Sequence, residues 1–261
     1  MMNRETWRSE ERLRIENLSK HFGGLRAVDS CSFKILPHRI YGLIGPNGSG
    51  KTTLFNTITG IFPPTGGSVI FNDEDITGFP SYEITRRGIA RTFQLVQIYP
   101  EMTVLENLLV GAQSQLGESV VLSLLRTPAV RRETRDLVDK AMSLLRVTEM
   151  ERLADHRAGD IPYGEQKMVE IMRALMTGPE LILLDEPTSG LNPSLVARIL
   201  DYIRYLRDEE GQTFIIVEHN MRVIMSVCEE IIVLNVGRKI AQGTPEEVSR
   251  NPEVIRAYLG E

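Results

Sequence analysis

Apolar and polar residues alternate over Leu13-Arg14-Ile15-Glu16-Asn17-Leu18 and again over Ser32-Phe33-Lys34-Ile35. A period of two predicts half-exposed antiparallel strands. Three other runs are apolar almost without interruption: Ile40 to Ile44, Leu181 to Leu184, and Thr213 to Val217. Such runs predict strands covered on both faces, as in the centre of a parallel sheet. Further strands are expected at Ser68–Phe71, Ile231–Leu234 and Lys239–Gln242. Helical spacing takes over elsewhere. Met168, Ile171, Met172 and Leu175 fall at i, i+3, i+4 and i+7, and Leu195, Ile199, Tyr202 and Leu206 give the helix Pro193–Glu210 one face to bury. A short helix is expected around Tyr82 to Arg87, and another from Thr103, where Thr103 and Glu106 are spaced as a capping box. More helix is expected from about Ser119 to Met150, interrupted at Pro128, with Arg131, Arg132 and Arg135 on its solvated side. One more helix starts at Asn220, and two short ones follow Thr244-Pro245. The alternation of strands and helices predicts an α/β core with an antiparallel β subdomain, a helical subdomain inserted at about 95–175, and a helical tail over 244–261.

One junction in this pattern carries chemistry. The apolar run ending at Ile44 passes into Gly45-Pro46-Asn47-Gly48-Ser49-Gly50-Lys51-Thr52-Thr53 and then into the apolar helix start Leu54-Phe55. Strand, glycine-rich loop and helix, in the form GxxxxGK[ST], make the context of a phosphate-binding loop. The glycines let backbone N–H groups converge, and the helix adds its positive N-terminus. Lys51 is then placed to reach the β- and γ-phosphates, and the Thr52 hydroxyl to ligate Mg²⁺. The loop predicts binding of a nucleoside triphosphate.

Composition narrows the partners. The chain has 261 residues, 42% of them apolar, and a net charge of −5, which speaks against a nucleic-acid coat. Cys31 and Cys228 lie far apart with no CxxC spacing, so neither a metal site nor a disulfide framework is indicated. The stretch Met1 to Arg14 alternates Arg and Glu and does not read as a signal peptide. No apolar run approaches the ~18–20 residues that cross a bilayer.

Two strand ends supply further candidates. Asp185 and Glu186 follow the run from Leu181, at the carboxyl end of a central strand where active-site groups of such sheets collect. Asp185 is placed to help hold Mg²⁺, and Glu186 to orient and deprotonate a water, a role worth ~10²–10⁴-fold in rate. His219 follows the strand ending at Val217, where it is either structural or within reach of the same phosphates. Phe22 is either a core aromatic or a ring that stacks on a base, and Gln94 alone is weak evidence for any role.

Taken in order, Gly45–Thr53, Gln94, Tyr163-Gly164-Glu165-Gln166, Leu181–Glu186, Ser189-Gly190-Leu191-Asn192 and His219 make the chain resemble an ATP-binding cassette (ABC) ATPase from Leu13 to Glu261. The resemblance implies that Phe22 stacks on adenine, that Gln94 senses Mg²⁺ and the transport partner, and that His219 switches at the γ-phosphate. It implies a dimer in which the Gly164 helix of one subunit covers ATP held by the other. More narrowly, Arg91-Thr92-Phe93-Gln94, Glu101 to Leu109, the segment Leu124 to Pro128 and the ending Val254 to Glu261 resemble the ATPase subunits of branched-chain amino-acid importers. Relatives that serve urea, amides or lipopolysaccharide share much of this.

That family implies a peripheral protein on the cytoplasmic face of the membrane. Its partners would be transmembrane permease subunits, a second ATPase subunit in a homo- or heterodimer, and indirectly a periplasmic or extracellular solute-binding protein. Gln94 to about Ala112 would form the permease contact. A soluble ABC protein of translation or DNA repair is the reading of another class, but such relatives carry tandem cassettes or long coiled-coil inserts. Three departures from the family pattern stand out. Pro162 replaces a serine and Tyr163 a glycine in the signature stretch, Asn192 replaces the usual aspartate, and Phe22 the usual tyrosine. Pro162 removes a hydroxyl expected at the γ-phosphate, a bond worth ~1.5–3 kcal/mol. Weaker closure of the dimer is expected, or a clamp that closes and turns over poorly.

Overall fold

The computed structural model describes residues 11–112 and 128–259. The expectations for Met1 to Glu10, for the helix from Ser119 to Thr127, for the segment Leu124 to Thr127 and for Gly260-Glu261 lie outside the described residues. Two sheets carry the fold. In the first, β1 (Leu13–Phe22), β2 (Leu25–Ile35), β4 (Gly66–Phe71) and β5 (Glu74–Asp75) pair antiparallel in the order β2-β1-β4-β5. Its alternating residues Leu13, Ile15 and Phe33 turn inward and are buried.

The second sheet has the order β10-β9-β3-β8-β7-β6, built from β3 (Ile40–Ile44), β6 (Ile89–Arg91), β7 (Leu181–Asp185), β8 (Thr213–Val217), β9 (Glu230–Asn235) and β10 (Arg238–Gly243). From β6 through β9 every pairing is parallel, and only β10 runs antiparallel. Every residue of β3, β7 and β8 is buried, which is why their sequences show no polar alternation. The sheet's two faces contribute to different cores. Ile40, Ile182, Leu184, Phe214 and Ile216 join one with the helices, while Tyr41, Leu43, Leu183, Ile215 and Val217 join Leu54, Phe55 and the antiparallel sheet in the other.

Nine helices are described: α1 (Lys51–Ile58), α2 (Ser81–Arg86), α3 (Val104–Val110), α4 (Pro128–Val147), α5 (Tyr163–Met176), α6 (Pro193–Glu210), α7 (Met221–Val227), α8 (Pro245–Arg250) and α9 (Pro252–Leu259). Helices α3, α4 and α5 lie between β6 and β7 in the chain and share a core through Val104, Leu108, Ala141, Leu145 and Met172. Thr103 and Glu106 form both bonds of the expected capping box at α3. On α6 the buried set is Ile199, Tyr202 and Leu206, but Leu195, expected inside, is only half-buried. It sits in the first turn, facing Gly164 instead of the core. Among the described residues no helix is long and apolar enough to cross a membrane.

Candidate functional site

Parallel register delivers the candidate residues to one sheet edge. Leu43 of β3 pairs with Val217 of β8, and Val217 pairs with Asp185 of β7. The residues that follow these pairs leave the sheet side by side: the loop from Gly45, Glu218-His219, and Glu186. On the far side of β7, Arg91 of β6 pairs with Leu183, so Gln94 emerges at the same edge. A cleft of about 520 Å³ opens here, within the range of nucleotide-sized pockets. Asn47 to Thr53, Gln94, Glu186 and His219 line it, joined by Arg26, Ala27 and Val236.

The loop's shape follows from its glycines. Gly45 and Gly50 have φ of 154° and 102°, and a Cβ at either position would lie 2.1 Å from the Leu234 carbonyl oxygen or 2.3 Å from that of Ala27. The first N–H of α1 satisfied within the chain belongs to Leu54, donating to Gly50 O at 2.8 Å. The N–H groups of Lys51, Thr52 and Thr53 are left for an external acceptor at the positive end of the helix. The Ser49 hydroxyl is buried with no partner among the described residues. The Lys51 ammonium donates to the Gly45 and Pro46 carbonyl oxygens at 2.8 and 3.1 Å. Burial lowers its pKa, and the charges of Glu186 and Asp185 oppose that shift. A partly desolvated cation, converging N–H donors and an orphaned hydroxyl fit a polyphosphate anion with its divalent cation.

Glu186 is the centre of the facing wall. Its Oε1 lies 2.8 Å from Nε2 of His219, and its Oε2 accepts from Nε2 of Gln94 at 3.3 Å. The backbone there is left-handed, with φ of 50°, a conformation costing a non-glycine residue about 1–3 kcal/mol. Glu186 N–H donates to Val217 O at 2.9 Å, and its carbonyl accepts from Nζ of Lys167 at 2.7 Å. Lys167 is a buried cation of α5 whose pKa is lowered by burial against the pull of Glu170, Glu218, Glu186 and Asp185. Sequence reasoning missed Lys167. The only signal was a lysine directly beside the apolar positions Met168, Ile171, Met172 and Leu175 of that helix.

The remaining candidates lie away from the cleft wall. The Asp185 carboxylate is buried behind it, where Oδ2 accepts from Nη2 of Arg91 at 2.9 Å. Phe22 is 43% exposed at the end of β1 and packs edge-on to Phe62 at 5.3 Å, so it is not a core aromatic. Tyr163, Gly164, Glu165 and Gln166 open α5 and do not line this cleft. Pro162 occupies the N-cap of α5 with φ of −56° and ψ of 150° and makes no side-chain cap. Its extended ψ keeps it outside the helix. A Cβ on Gly164 would come within 2.4 Å of Cδ1 of Leu195, so α5 approaches the start of α6 closely at this glycine. Asn192 caps α6, accepting from Leu195 N–H at 3.0 Å.

A phosphate loop on the central strand, an Asp-Glu pair on the next strand but one, and a nested helical segment define a nucleotide-binding cassette, and the chain belongs to the ABC transporter family, whose match spans residues 28–189. The family described as branched-chain amino acid ATP-binding cassette transporter matches residues 238–261. The chain is 42% identical over 253 residues to the high-affinity branched-chain amino acid transport ATP-binding protein LivG of Escherichia coli (strain K12), covering 97% of this chain and 99% of that protein. It is 42% identical to BraF of Pseudomonas aeruginosa, which bears the same description, over 95% of this chain and 98% of that one. Among solved structures, a nucleotide-free ATP-binding cassette from an ABC transporter matches with a TM-score of 0.82 and 38% identity, over 96% of this chain and all of that one. The ADP conformation of an ATP-binding cassette matches with the same score and identity over 97% of this chain. A dimeric cassette in a post-hydrolysis state, bound to ADP and Pi, matches with a TM-score of 0.73 and 26% identity over 89% of this chain.

Proposed function

We propose that the protein is the ATP-hydrolysing subunit of a membrane importer for branched-chain amino acids. The observation that carries the reading is the cleft itself, where the phosphate loop faces Glu186, His219 and Gln94 across space sized for a nucleotide. Asn47 to Thr53 hold the phosphates, with Lys51 on the β- and γ-groups. Thr52, Gln94 and Asp185 would hold Mg²⁺, which when bound would supply charge neutralisation on the transferred phosphoryl group. Glu186 takes the proton of the attacking water through the carboxylate that His219 and Gln94 orient from either side. His219 stands at the γ-phosphate edge, and Phe22 supplies the base-stacking ring.

Two copies close around the nucleotide, so that the helix start at Tyr163, Gly164, Glu165 and Gln166 covers ATP bound to the other subunit. That helix start supports an anion-binding role because its leading N–H groups have no side-chain cap. Residues from about 95 to 175 act as the helical subdomain and 244–261 as a tail. The permease contact runs from Gln94 to Ala112, where Leu95, Tyr99, Met102 and Val110 are exposed large apolar side chains. The protein works on the cytoplasmic face, bound through permeases that receive solute from a solute-binding protein.

Affinity purification of the tagged chain from detergent-solubilised membranes tests this. Two multi-span permeases and a second, different ATPase are expected with it. Recovery of the chain alone, or with ribosomes or nucleic acid, contradicts the importer reading.

A further inference from the structure

Arg91 is a buried arginine with four kinds of neighbour, and no step described above uses it. Its side chain is 7% exposed and that of Asp185 6%. Nη2 donates to Oδ2 of Asp185 at 2.9 Å, while Nη1 donates to Oδ1 of Asn56 and, at 3.4 Å, to the Thr59 hydroxyl. The guanidinium also lies 5.5 Å from the ring centre of Phe55 and 5.2 Å from that of Phe93. Asn56, Thr59 and Phe55 belong to α1 or its C-cap, the helix that begins with Lys51 and Thr52. Phe93 adjoins Gln94, and its N–H is fixed by the Glu170 carboxylate at 3.1 Å. One planar cation therefore touches the helix behind the phosphate loop, the strand-end carboxylate and the segment that carries Gln94.

We infer that Arg91 is a positioning residue for the divalent cation: it holds Asp185 by Oδ2 and, through Asn56, ties that carboxylate to α1, the helix that carries Thr52. This rests on the reading of Asp185 as a cation-side group. An arginine suits this place because its rigid fork presents Nη2 to a carboxylate on one strand and Nη1 to an amide on a helix, two acceptors met by separate nitrogens of one plane. A lysine retains the charge in the pocket but offers all its donors from a single nitrogen, without the fixed fork that separates the two acceptors. A neutral residue would strand a buried carboxylate, so it tests stability more than positioning.

The test uses the full chain with ADP and Mg²⁺, reading ADP affinity by calorimetry in EDTA and across a Mg²⁺ titration, and bound Mn²⁺ by electron paramagnetic resonance. Arg91→Lys is expected to leave ADP affinity in EDTA unchanged and to raise the half-saturating Mg²⁺ concentration about tenfold, the low end of the roughly 10–100-fold cost of losing an outer-sphere partner. Asn56→Ala, which leaves the Arg91–Asp185 pair intact, should shift the same midpoint in the same direction by a smaller factor. Asp185→Asn should shift it too, and adding Asn56→Ala to Asp185→Asn should change nothing further. If Asp185→Asn moves the midpoint while Arg91→Lys and Asn56→Ala leave it at the wild-type value, the positioning role is wrong and the reading of Asp185 stands. If Asp185→Asn also leaves it unmoved, both fail together. Unchanged ADP affinity in EDTA certifies that each variant is folded.

Discussion

His219 and Glu186 meet across two neighbouring strand ends, Nε2 to Oε1 at 2.8 Å, although 33 positions separate them in the chain. The contact exists because β7 and β8 run parallel with Asp185 opposite Val217, so that the next residues of both strands turn out over the same cleft. Gln94 reaches the other carboxylate oxygen at 3.3 Å. A carboxylate held from both sides retains a fixed direction toward the phosphate loop, which a general base requires.

The left-handed backbone at Glu186 predicts a conflict between stability and turnover. A glycine there removes a cost of about 1–2 kcal/mol for an L-residue at positive φ and adds about 0.5–1 kcal/mol of unfolded-state entropy. Against Glu186→Ala, which loses the same contacts to His219 and Gln94, Glu186→Gly is expected to unfold at an equal or higher temperature, and both variants should lose hydrolysis. Thermal unfolding followed beside a steady-state assay checks both. A melting temperature for Glu186→Gly well below that of Glu186→Ala would show that the conformation is not strained.

Lys51→Ala should weaken ATP binding itself, because a charge-assisted bond to phosphate is worth about 1.5–3 kcal/mol, or roughly ten- to a hundredfold in affinity. Calorimetric titration with ATP measures it. Wild-type affinity would contradict the phosphate-loop assignment.

Pro162 sits at the N-cap of α5 with extended backbone and no side chain to cap the helix. A serine there gains about 0.5–2 kcal/mol of capping and loses about 0.4–1 kcal/mol of the rigidity that proline imposes on the unfolded chain. Pro162→Ser should therefore shift stability by between about −0.5 and +1.6 kcal/mol and leave turnover equal or higher. A collapse in steady-state turnover would show that Pro162 has a role of its own in closure.

Glu170 gives a pH dependence. Burial raises its pKa above the ordinary carboxylate value, opposed by the Phe93 N–H and by Arg173 and Lys167. The folded protein holds this proton to a higher pH than the unfolded chain does. Its contribution to stability is complete below the unfolded value and is lost as pH rises through the raised one. Glu170→Gln keeps an acceptor for Phe93 and cannot ionise. Its melting temperature should gain on the wild type as pH rises above about 4.5. A constant difference between the two proteins across that range would contradict the assignment.

Much of this was legible in the chain because it is local. The loop Gly45–Thr53, the apolar run ending in Asp185-Glu186 and the capping box at Thr103 each depend on a few consecutive residues, and strand period separates the two sheets. What could not be read is set by pairing between distant strands. Arg91 lies 94 positions from Asp185, and only the β6–β7 and α1 packing brings its guanidinium to that carboxylate. Lys167 is buried on α5 and donates to the Glu186 carbonyl, a contact between a helix and a strand end that no local pattern gives. Leu195 satisfies helical periodicity but lies in a first turn that faces Gly164, so periodicity alone overstated its burial. Phe22 sits in an exposed edge contact with Phe62, which its sequence neighbours could not foretell.

The most direct test of the account is Glu186→Gln, measured for ATP binding, hydrolysis and oligomeric state in one preparation. Glutamine keeps the shape and the acceptor oxygen but cannot take a proton from water. ATP affinity should match the wild type, hydrolysis should fall by about 10²–10⁴-fold, and ATP should drive the variant into a stable dimer. Turnover at the wild-type rate would remove Glu186 as the base and contradict the account.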